Sequence, residues 1–356
     1  MGLDHRRRAG SRRLPADRPG LLCGTDGRWS RVTTTETATR TGLAAALPAG
    51  MVARVVTSAG GIAVVFVLAA VFTPSFYTAA NLSDVLRQIG IIGVAAVGQT
   101  FVLLVAGIDL SVGAFIGMSM VMVAQFTAGS DGAIPLAAAA VVAFGLVGGL
   151  LNAGLVVARK VPPFVATFAV FILIQGLISA WTQGSPSGRI PPGLSWLGAK
   201  SIAGIPTPML IFVVVLAAAA FVLTRTTYGR RVYATGANPV AARMSGVPTG
   251  AVVASAYVVC ALLAVLAGLM TSGYTGYVDN YLSRSLNLDS VAAAVVGGVA
   301  LSGGKGGVGR TTLGVVLLAV LINFVGLLGA GNAGQLLIEG AVILGAVWLQ
   351  NRSRQG

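Results

Sequence analysis

The chain has 356 residues, of which 55% are hydrophobic and only 10% are charged, and its formal net charge is +14. Soluble globular domains carry charge on about a quarter of their residues, so this composition excludes an ordinary soluble protein and predicts an integral membrane protein. The basic residues are spread over many segments and form no basic domain with interleaved aromatic residues, so nucleic acid is not an expected partner.

The first 50 residues differ from the rest of the chain. They hold nine arginines and four acids among many Ser, Thr and Gly residues, without apolar periodicity. Such a segment cannot bury enough apolar surface to fold, so residues 1–50 are predicted to be a disordered, Arg-rich cytoplasmic tail. Cys23 lies in this tail and Cys260 in an apolar run, and this difference in setting argues against a disulfide.

Residues 51–350 consist of long apolar runs, and they are predicted to form one transmembrane domain. About 20 apolar residues make a helix that crosses the bilayer. Runs such as 133–158 are apolar on every face, whereas the strands of a membrane β-barrel alternate. The predicted fold is therefore an all-α polytopic bundle. Its ten predicted spans are residues 55–72, 85–106, 111–128, 133–158, 164–182, 208–224, 251–272, 288–302, 312–328 and 335–349.

The distribution of Lys and Arg predicts the orientation, because these residues accumulate in cytoplasmic loops. Ten spans place both termini on one side of the membrane. Of the 24 Lys and Arg residues, the outer half then holds only Arg87, Arg189, Lys200 and Arg284. Both termini are therefore predicted to lie in the cytoplasm.

Asp109 is the clearest polar candidate inside the membrane. It lies between two apolar runs, with Gly107 before it and Ser111 and Gly113 after it. A charge inside the bilayer is costly and marks a functional candidate. Asp109 either caps the N-terminus of the next helix or lies at a helix break that lines a cavity.

Other polar residues also interrupt apolar runs. Asp289 opens the predicted span 288–302, and the likeness of residues 288–292 to 109–113 hints at an internal repeat. Glu339 lies in the last run and is interpreted as one member of a structural pair. The uncharged residues serve helix packing or meet a passing solute. The candidates for the translocation pathway are Gln99, Asp109, Ser111, Asn152 and Asp289.

A polar segment, Arg225 to Pro248, stands between two apolar runs and holds four arginines. Asn238-Pro239 can start a turn, residues 240–244 favour a helix, and Gly246 can end it. One short helix outside the bilayer is therefore predicted. Because so short a helix is barely stable alone, it is held by the neighbouring spans or by a groove on a partner protein; the alternative is a solvated connector.

The stretch from Gly304 to Thr312 nearly spells a phosphate-binding loop. Arg310 stands where such a loop has its lysine, no strand pattern precedes it, and no acidic motif for Mg²⁺ is apparent. It joins two apolar runs on the side predicted to be cytoplasmic. The sequence therefore does not indicate an ATP site in this chain.

Four segments carry a resemblance to a known family. Residues 236–246 read Gly-Ala-Asn-Pro-Val-Ala-Ala-Arg-Met-Ser-Gly. They resemble the Gly-x-Asn-x-x-Ala-Ala-Arg-x-Ser-Gly coupling loop in the membrane subunit of bacterial ABC importers, in the ribose-type sugar permease family. Residues 98–113, 151–167 and 289–306 resemble the same family in the same order. The resemblance covers about residues 50–350 and leaves out the tail.

This resemblance implies a permease subunit in the bacterial inner membrane that is not itself an enzyme. Two copies, or one copy and a paralogue, would form the pore within the membrane lipid. A separate ATPase would bind ATP, so no cofactor is expected in this chain. An extracytoplasmic binding protein would deliver a small sugar at the outer loop 183–207, which is otherwise a plain connector. The ATPase would bind a coupling loop at about 225–249, through Gly236, Asn238, Pro239, Ala241, Ala242, Arg243 and Gly246.

Three alternatives remain open at this stage. A related permease of the same family would import a branched-chain amino acid or a nucleoside. An ion-coupled secondary transporter would use Asp109, Asp289 and Glu339 as ion carriers. A membrane-embedded enzyme is disfavoured, because the only histidine, His5, lies in the tail and no metal-binding or nucleophile motif is found.

Overall fold

The computed structural model describes residues 72–185, 188–278, 280–331 and 333–337, with short pieces at 21–23, 29–31, 67, 340–341 and 344–345. The chain divides into two units, Met1–Leu47 and Pro48–Gly356. In the first unit, strands β1 (Leu21–Cys23) and β2 (Trp29–Arg31) pair antiparallel. The rest of the predicted tail, most of the predicted spans 55–72 and 335–349, and Glu339 lie outside the described residues.

The second unit is helical. Its helices are α1 (Ala79–Leu104), α2 (Val112–Thr127), α3 (Ile134–Ala153), α4 (Pro163–Thr182), α5 (Ser195–Gly198), α6 (Thr207–Arg225), α7 (Thr227–Ala237), α8 (Pro239–Met244), α9 (Thr249–Thr275), α10 (Asn280–Val296) and α11 (Val308–Leu327). A π-helical turn, Gly154–Ala158, continues α3. Short 3₁₀ turns lie at Pro74–Tyr77, Asp131–Ala133 and Pro192–Leu194. Between α5 and α6, β3 (Ser201–Ile202) and β4 (Ile205–Pro206) pair as an antiparallel hairpin.

The prediction of an all-α polytopic membrane protein is confirmed. Six described helices are long and apolar enough to cross a membrane: α1, α3 with its flanking turns, α4, α6, α9 and α11. Two shorter apolar helices, α2 and the second half of α10, accompany them. Seven of the predicted spans agree with these helices within a few residues, because long runs that are apolar on every face leave little doubt about type or extent.

The predicted span 288–302 is wrong in both bounds. Helix α10 begins at Asn280, because the polar residues before Leu288 are still compatible with a helix, although they are not apolar. It ends at Val296, since Gly298 has φ +95°, a left-handed conformation that favours glycine. Asp289 consequently lies inside a helix, whereas Asp109 lies before one.

The bundle has inner and outer helices. In α1, 83% of the apolar 18-residue stretch is buried. Helix α9 lies beside α1, and 56% of its corresponding stretch is buried. In α3, α4 and α6, only 28% of the corresponding apolar stretch is buried. Their apolar side chains, such as Val147, Phe168 and Val214, point outward. An apolar outer surface of this kind suits contact with lipid or with another membrane subunit.

Candidate functional site

A short helix is present where the polar segment predicts one, as α8, and Asn238 caps its N-terminus. The Asn238 side-chain oxygen accepts hydrogen bonds from the backbone N–H groups of Val240 and Ala241, both at 3.0 Å. Pro239 occupies the first helical position, where its missing N–H leaves no bond unmade. At the other end, Gly246 has φ +80°, which reverses the chain so that Val247 N–H bonds the Ala242 carbonyl at 3.0 Å.

The outward face of α8 is partly apolar. Ala242 is the one buried residue of this helix. Val240 is 60% exposed and Met244 is 87% exposed, one helical turn apart. Both flank the exposed Arg243. Analysis of the sequence missed Val240 and Met244, although their i, i+4 spacing within a polar segment was the available signal. An exposed apolar pair on a short helix is typical of a surface that docks a partner.

The junction between α7 and α8 rests on the end of α1. A Cβ atom added at Gly236 would lie 1.8 Å from the carbonyl oxygen of Leu104, so only glycine fits there. Gly304 N–H donates to the same Leu104 oxygen at 2.9 Å. The Gly303 position is also close to this segment, with an added Cβ 2.7 Å from the Ala106 side chain. Three segments that are distant in sequence therefore meet at one point.

The glycine-rich stretch that resembles a phosphate-binding loop is a packed connection between α10 and α11. Gly303, Gly304, Gly306 and Gly307 all have positive φ. The Tyr233 hydroxyl of α7 donates to the Gly306 carbonyl oxygen at 3.1 Å. Partial burial raises the pKa of Tyr233, and the nearby Arg310 charge opposes this shift. The hydroxyl therefore remains protonated, and able to donate, at physiological pH. We call residues 303–307 the glycine brace.

The end of the bundle that carries α8 is uniformly basic. Among the described residues, this end has eight cations and no exposed acid; the cations are Arg159, Lys160, Arg225, Arg230, Arg231, Arg243, Lys305 and Arg310. The opposite end carries both signs, and Arg87 pairs there with Asp84 at 2.6 Å. Asp131 also lies at that end and accepts from Gly193 N–H at 2.7 Å.

The second predicted site is the connection between α1 and α2, residues 105–111, which we call the buried break. Asp109 is 0% exposed. Its carboxylate accepts from the backbone N–H of Ser111 at 2.8 Å and from the Ser111 hydroxyl. This is a local turn that satisfies an N–H at the start of α2. The structure thus places Asp109 at a break between two helices, with its carboxylate on Ser111, the residue before α2. This agrees with a role at the start of α2, whereas a break that lines a cavity stays a prediction.

Side chains from three other helices fasten the buried break. The side-chain amide of Gln99 of α1 lies 3.2 Å from both the N–H and the carbonyl of Asp109, and it bonds both groups when its oxygen is assigned to the side of the N–H. Asn152 of α3 donates to the Ser111 hydroxyl at 2.8 Å and to the Asp109 carboxylate at 3.4 Å. Thr167 of α4 accepts from Leu110 N–H at 3.1 Å. The sequence analysis assigned no role to Thr167, because a single Thr in an apolar helix gives no signal of its own.

Four of the five candidates for the translocation pathway therefore form one cluster. Gln99, Asp109, Ser111 and Asn152 are completely buried in the chain. Asp289 is also buried, on α10, where the nearby Asn287 side chain approaches Gly113 N–H of α2 at 3.4 Å. The arrangement holds a helix break in one conformation, and in this conformation it does not present the four polar side chains to solvent.

A family model for the permease component of branched-chain amino acid transport systems matches residues 81–347. The chain belongs to this permease family. It is 33% identical over 298 residues to the ribose import permease protein RbsC of Escherichia coli strain K12. The aligned region covers 82% of this chain and 92% of that protein. The corresponding RbsC of Bacillus subtilis strain 168 is 35% identical over 295 residues, 82% of this chain and 91% of the relative.

A third relative is the xylose transport system permease protein XylH of Escherichia coli strain K12, 29% identical over 342 residues, with 79% of this chain and 87% of that protein covered. No solved structure matches this chain. The resemblance seen in the four sequence segments is thus confirmed, and this permease is a multi-pass inner-membrane protein. The matched range includes both α8 and the buried break.

Proposed function

We propose that this permease is the membrane subunit of an ABC importer that carries a monosaccharide, such as a pentose, into the cell. The observation that carries the proposal is α8, a capped helix with an exposed apolar pair, on a protein whose relatives are named ribose and xylose permeases. In this proposal the partner ATPase binds ATP, and this chain performs no bond chemistry.

Gly236, Asn238, Pro239, Ala241, Ala242, Arg243 and Gly246 build the coupling segment. Asn238 and Pro239 start α8, Ala242 fastens it to the bundle, and Gly246 lets the chain turn back into α9. Gly236 seats the segment on α1. Arg243 and the other cations of this end give the ATPase a basic surface, and a concentration of Lys and Arg supports its cytoplasmic location. The same rule favours both termini in the cytoplasm.

The proposed mechanism is alternating access. Movement of the ATPase pair displaces α8, and the contact of Gly236 with Leu104 passes this displacement to α1 immediately before the buried break. The glycine brace passes it to α10 and α11. A break in the helix can absorb such a movement as a change of angle. Gln99, Asp109, Ser111, Asn152 and Asp289 then set the shape of the pathway between two permease copies, or between this chain and a paralogue.

The outer end is the proposed docking surface for an extracytoplasmic binding protein. Helix α5 exposes Trp196, and the β3–β4 hairpin exposes Ile202 and Ile205. Helix α5 packs closely on α9, because a Cβ added at Gly198 would lie 2.1 Å from the backbone nitrogen of Tyr274. In the proposal, the binding protein selects the sugar, and the pore has only weak affinity for it.

The experiment that tests the function is uptake into proteoliposomes that contain this permease, with the ATPase and the binding protein supplied from the same gene neighbourhood. We expect ATP-dependent accumulation of labelled ribose or xylose that requires all components. Labelled leucine is tested in parallel, because the family is described by branched-chain amino acid transport. Uptake of leucine and not of a sugar would move the substrate to that class. Accumulation driven by a proton gradient without the ATPase would overturn the proposal.

A further inference from the structure

One edge of the exposed face of α4 carries a row of aromatic and polar side chains, which we call the α4 stripe. Its members follow one another at intervals of three or four residues, so they lie along one line of the helix. They are Phe164, Phe168, Phe171, Gln175 and Ser179. Phe164 is 57% exposed and Phe168 is 46% exposed. Ser179 is also exposed, and Phe171 and Gln175 are partly exposed. Neither the coupling segment nor the buried break uses these side chains.

The other edge of the same face is purely apolar. Leu173 is 54% exposed and Leu177 is 48% exposed, and such side chains suit contact with lipid tails. Leu173 precedes Gln175 by two residues. At 3.6 residues per turn, the two side chains leave the helix in nearly opposite directions at almost the same depth. The exposed surface of α4 thus has two unlike edges, and lipid accounts for only one of them.

The polar members of the α4 stripe lack partners within the chain. Helix α4 has 20 residues and no charged side chain, and Gln175 lies in its second half. Within the part of the chain that the structure describes, neither the Gln175 amide nor the Ser179 hydroxyl makes a side-chain hydrogen bond. Hydrocarbon offers no donor or acceptor, so leaving an amide unpaired in lipid is costly. The amide therefore faces water, a polar solute or a second protein.

Three phenylalanine rings continue the row from Gln175 toward the basic end. The rings of Phe164 and Phe168 are stacked, with centroids 6.1 Å apart and an interplanar angle of 13°. Phe168 and Phe171 repeat this arrangement at 6.2 Å and 13°. The face of an aromatic ring is negatively polarised, so it attracts the positively polarised C–H bonds of a sugar ring. Nearly parallel rings at regular spacing offer a series of similar contacts.

We propose that the α4 stripe lines the translocation pathway and contacts an uncharged solute that carries several hydroxyl groups. Gln175 and Ser179 exchange hydrogen bonds with these hydroxyl groups, and the rings support the C–H face of the same molecule. The inference rests on the transport function proposed above and narrows its substrate class. A zwitterionic amino acid carries two full charges and would need charged partners, which α4 lacks along its whole length.

The direction of the α4 stripe agrees with import. Helix α4 begins at Pro163, beside the basic end, and ends at Thr182, before the outer loop 183–207. A solute that enters from outside would meet Ser179 and Gln175 first and the rings afterwards. Hydrogen bonds would thus receive the solute, and the weaker contacts with the rings would let it leave.

The α4 stripe is also connected to the buried break. Thr167 precedes Phe168 in α4 and accepts from Leu110 N–H at 3.1 Å. Movement of the buried break would therefore displace the wall of the pathway. The α4 stripe extends over about four helical turns, which fits a path for a solute better than one polar contact with a second permease copy.

The test compares cysteines placed at the two edges of α4. The full-length permease with Cys23→Ser carries either Gln175→Cys or Leu173→Cys, and the parent, in which Cys260 is buried, gives the background. Proteoliposomes contain the permease with its ATPase and its binding protein. The probe is the charged reagent sulfonatoethyl methanethiosulfonate, applied with and without ATP. Because the reactive thiolate forms in water and not in lipid, we expect Gln175→Cys to react about tenfold faster than Leu173→Cys in at least one condition.

Each outcome decides the inference. Equal rates at both positions in both conditions overturn it, because Gln175 would then face lipid as Leu173 does. A disulfide between two Gln175→Cys copies without labelling also overturns it, since the amide would then meet the second permease copy. Uptake of leucine and not of a sugar by the wild-type transporter would overturn the substrate class. Labelling decides the position of the pathway whatever the solute, so it remains distinct from a failure of the proposed function.

Matched substitutions test the contact with the solute. Gln175→Leu removes the amide and should lower the uptake of labelled ribose or xylose about tenfold, whereas Gln175→Asn keeps an amide and should retain most of the uptake. Phe168→Leu should lower uptake about threefold to tenfold. Leu177→Ala, at the apolar edge, should leave uptake unchanged. Equal effects of Gln175→Leu and Leu177→Ala would overturn the contact. Unchanged elution in size-exclusion chromatography shows that each variant is folded.

Discussion

The chain breaks its helical path in two places with the same local chemistry and opposite surroundings. At the buried break, Asp109 accepts the N–H of Ser111. At Asn238, which we call the exposed break, the amide oxygen accepts the N–H groups of Val240 and Ala241. Asp109 then needs Gln99 and the side chains of two other helices, whereas Asn238 needs nothing further from the bundle.

The comparison shows that local turn formation and mechanical rigidity have separate origins. A short side chain that accepts a backbone N–H suffices to start a helix in either place. Burial adds the requirement that every remaining polar group be satisfied, and this draws distant helices into one network. In this conformation the buried break is held by side chains of three helices, whereas the Asn238 cap uses only local bonds and leaves the outer face of α8 free for a partner.

The largest loss of stability and transport is expected on substitution of Gly236, which joins the exposed break to the end of α1 beside the buried break. In Gly236→Val, the added side chain would meet the Leu104 carbonyl within 1.8 Å, so α7 must separate from α1. We expect the free energy of unfolding to fall by about 3 kcal/mol and uptake to be lost. SDS titration and proteoliposome uptake measure these. Gly309→Ala is the control, because its added Cβ meets nothing within 4 Å. If both variants behave alike, the two breaks are not joined at this contact.

Replacing the two breaks in parallel tests the comparison directly. Asp109→Ala leaves the N–H and the hydroxyl of Ser111 without their acceptor inside the protein, so we expect a loss of about 2–3 kcal/mol in the free energy of unfolding. Asn238→Ala removes a cap in contact with water and should cost about 1 kcal/mol. SDS titration of both variants under one condition measures the difference. Equal losses would show that burial does not distinguish the two breaks.

The glycine brace should contribute less. Tyr233→Phe removes the hydrogen bond to the Gly306 carbonyl, which is partly exposed, and we expect a loss of about 0.5–1 kcal/mol. Because the pKa of Tyr233 is raised by burial, this bond should be unaffected between pH 6 and 9, well below the ordinary tyrosine value of about 10. Tyr77→Phe is the control, since Tyr77 lies exposed near the other end of the bundle. A loss that depends on pH within this range would contradict the assignment of the donor.

The smallest effect on stability is expected on the surface of α8. Val240→Ser with Met244→Ser should change the free energy of unfolding by no more than about 0.5 kcal/mol, because both side chains are exposed. ATP-driven uptake should nevertheless fall by about tenfold, equivalent to about 1.4 kcal/mol of lost docking. Ser245→Ala, in the same loop, is the control. Normal uptake by the double variant would show that the exposed break is a plain connector.

Part of the fold and of the candidate site could be predicted from the sequence, wherever local rules decide the structure. The run 133–158 coincides with α3 and its π-helical turn, because a long apolar segment has only one stable form in a bilayer. Helix α8 could be predicted as well, since Asn238, Pro239 and Gly246 act through local backbone rules. The end of α10 was missed, because hydropathy continues past the glycines that stop the helix.

The contacts between distant segments could not be predicted. Gly236 lies more than a hundred residues from Leu104, and a sequence pattern carries no record of which helices become neighbours. Thr167 was missed for the same reason, because its role depends on Leu110 of another segment. Asp109 could be identified as important, but its bonds to Gln99 and Asn152 follow only from the packing.

The way α8 is attached has a consequence for engineering and for evolution. Since one alanine and a capping asparagine hold this helix, residues 238–246 can vary on their outer face with little strain on the membrane domain. We therefore expect that grafting this segment from a relative would redirect the permease to that relative's ATPase and leave its cargo unchanged. The choice of ATPase and the choice of transported solute would then evolve independently.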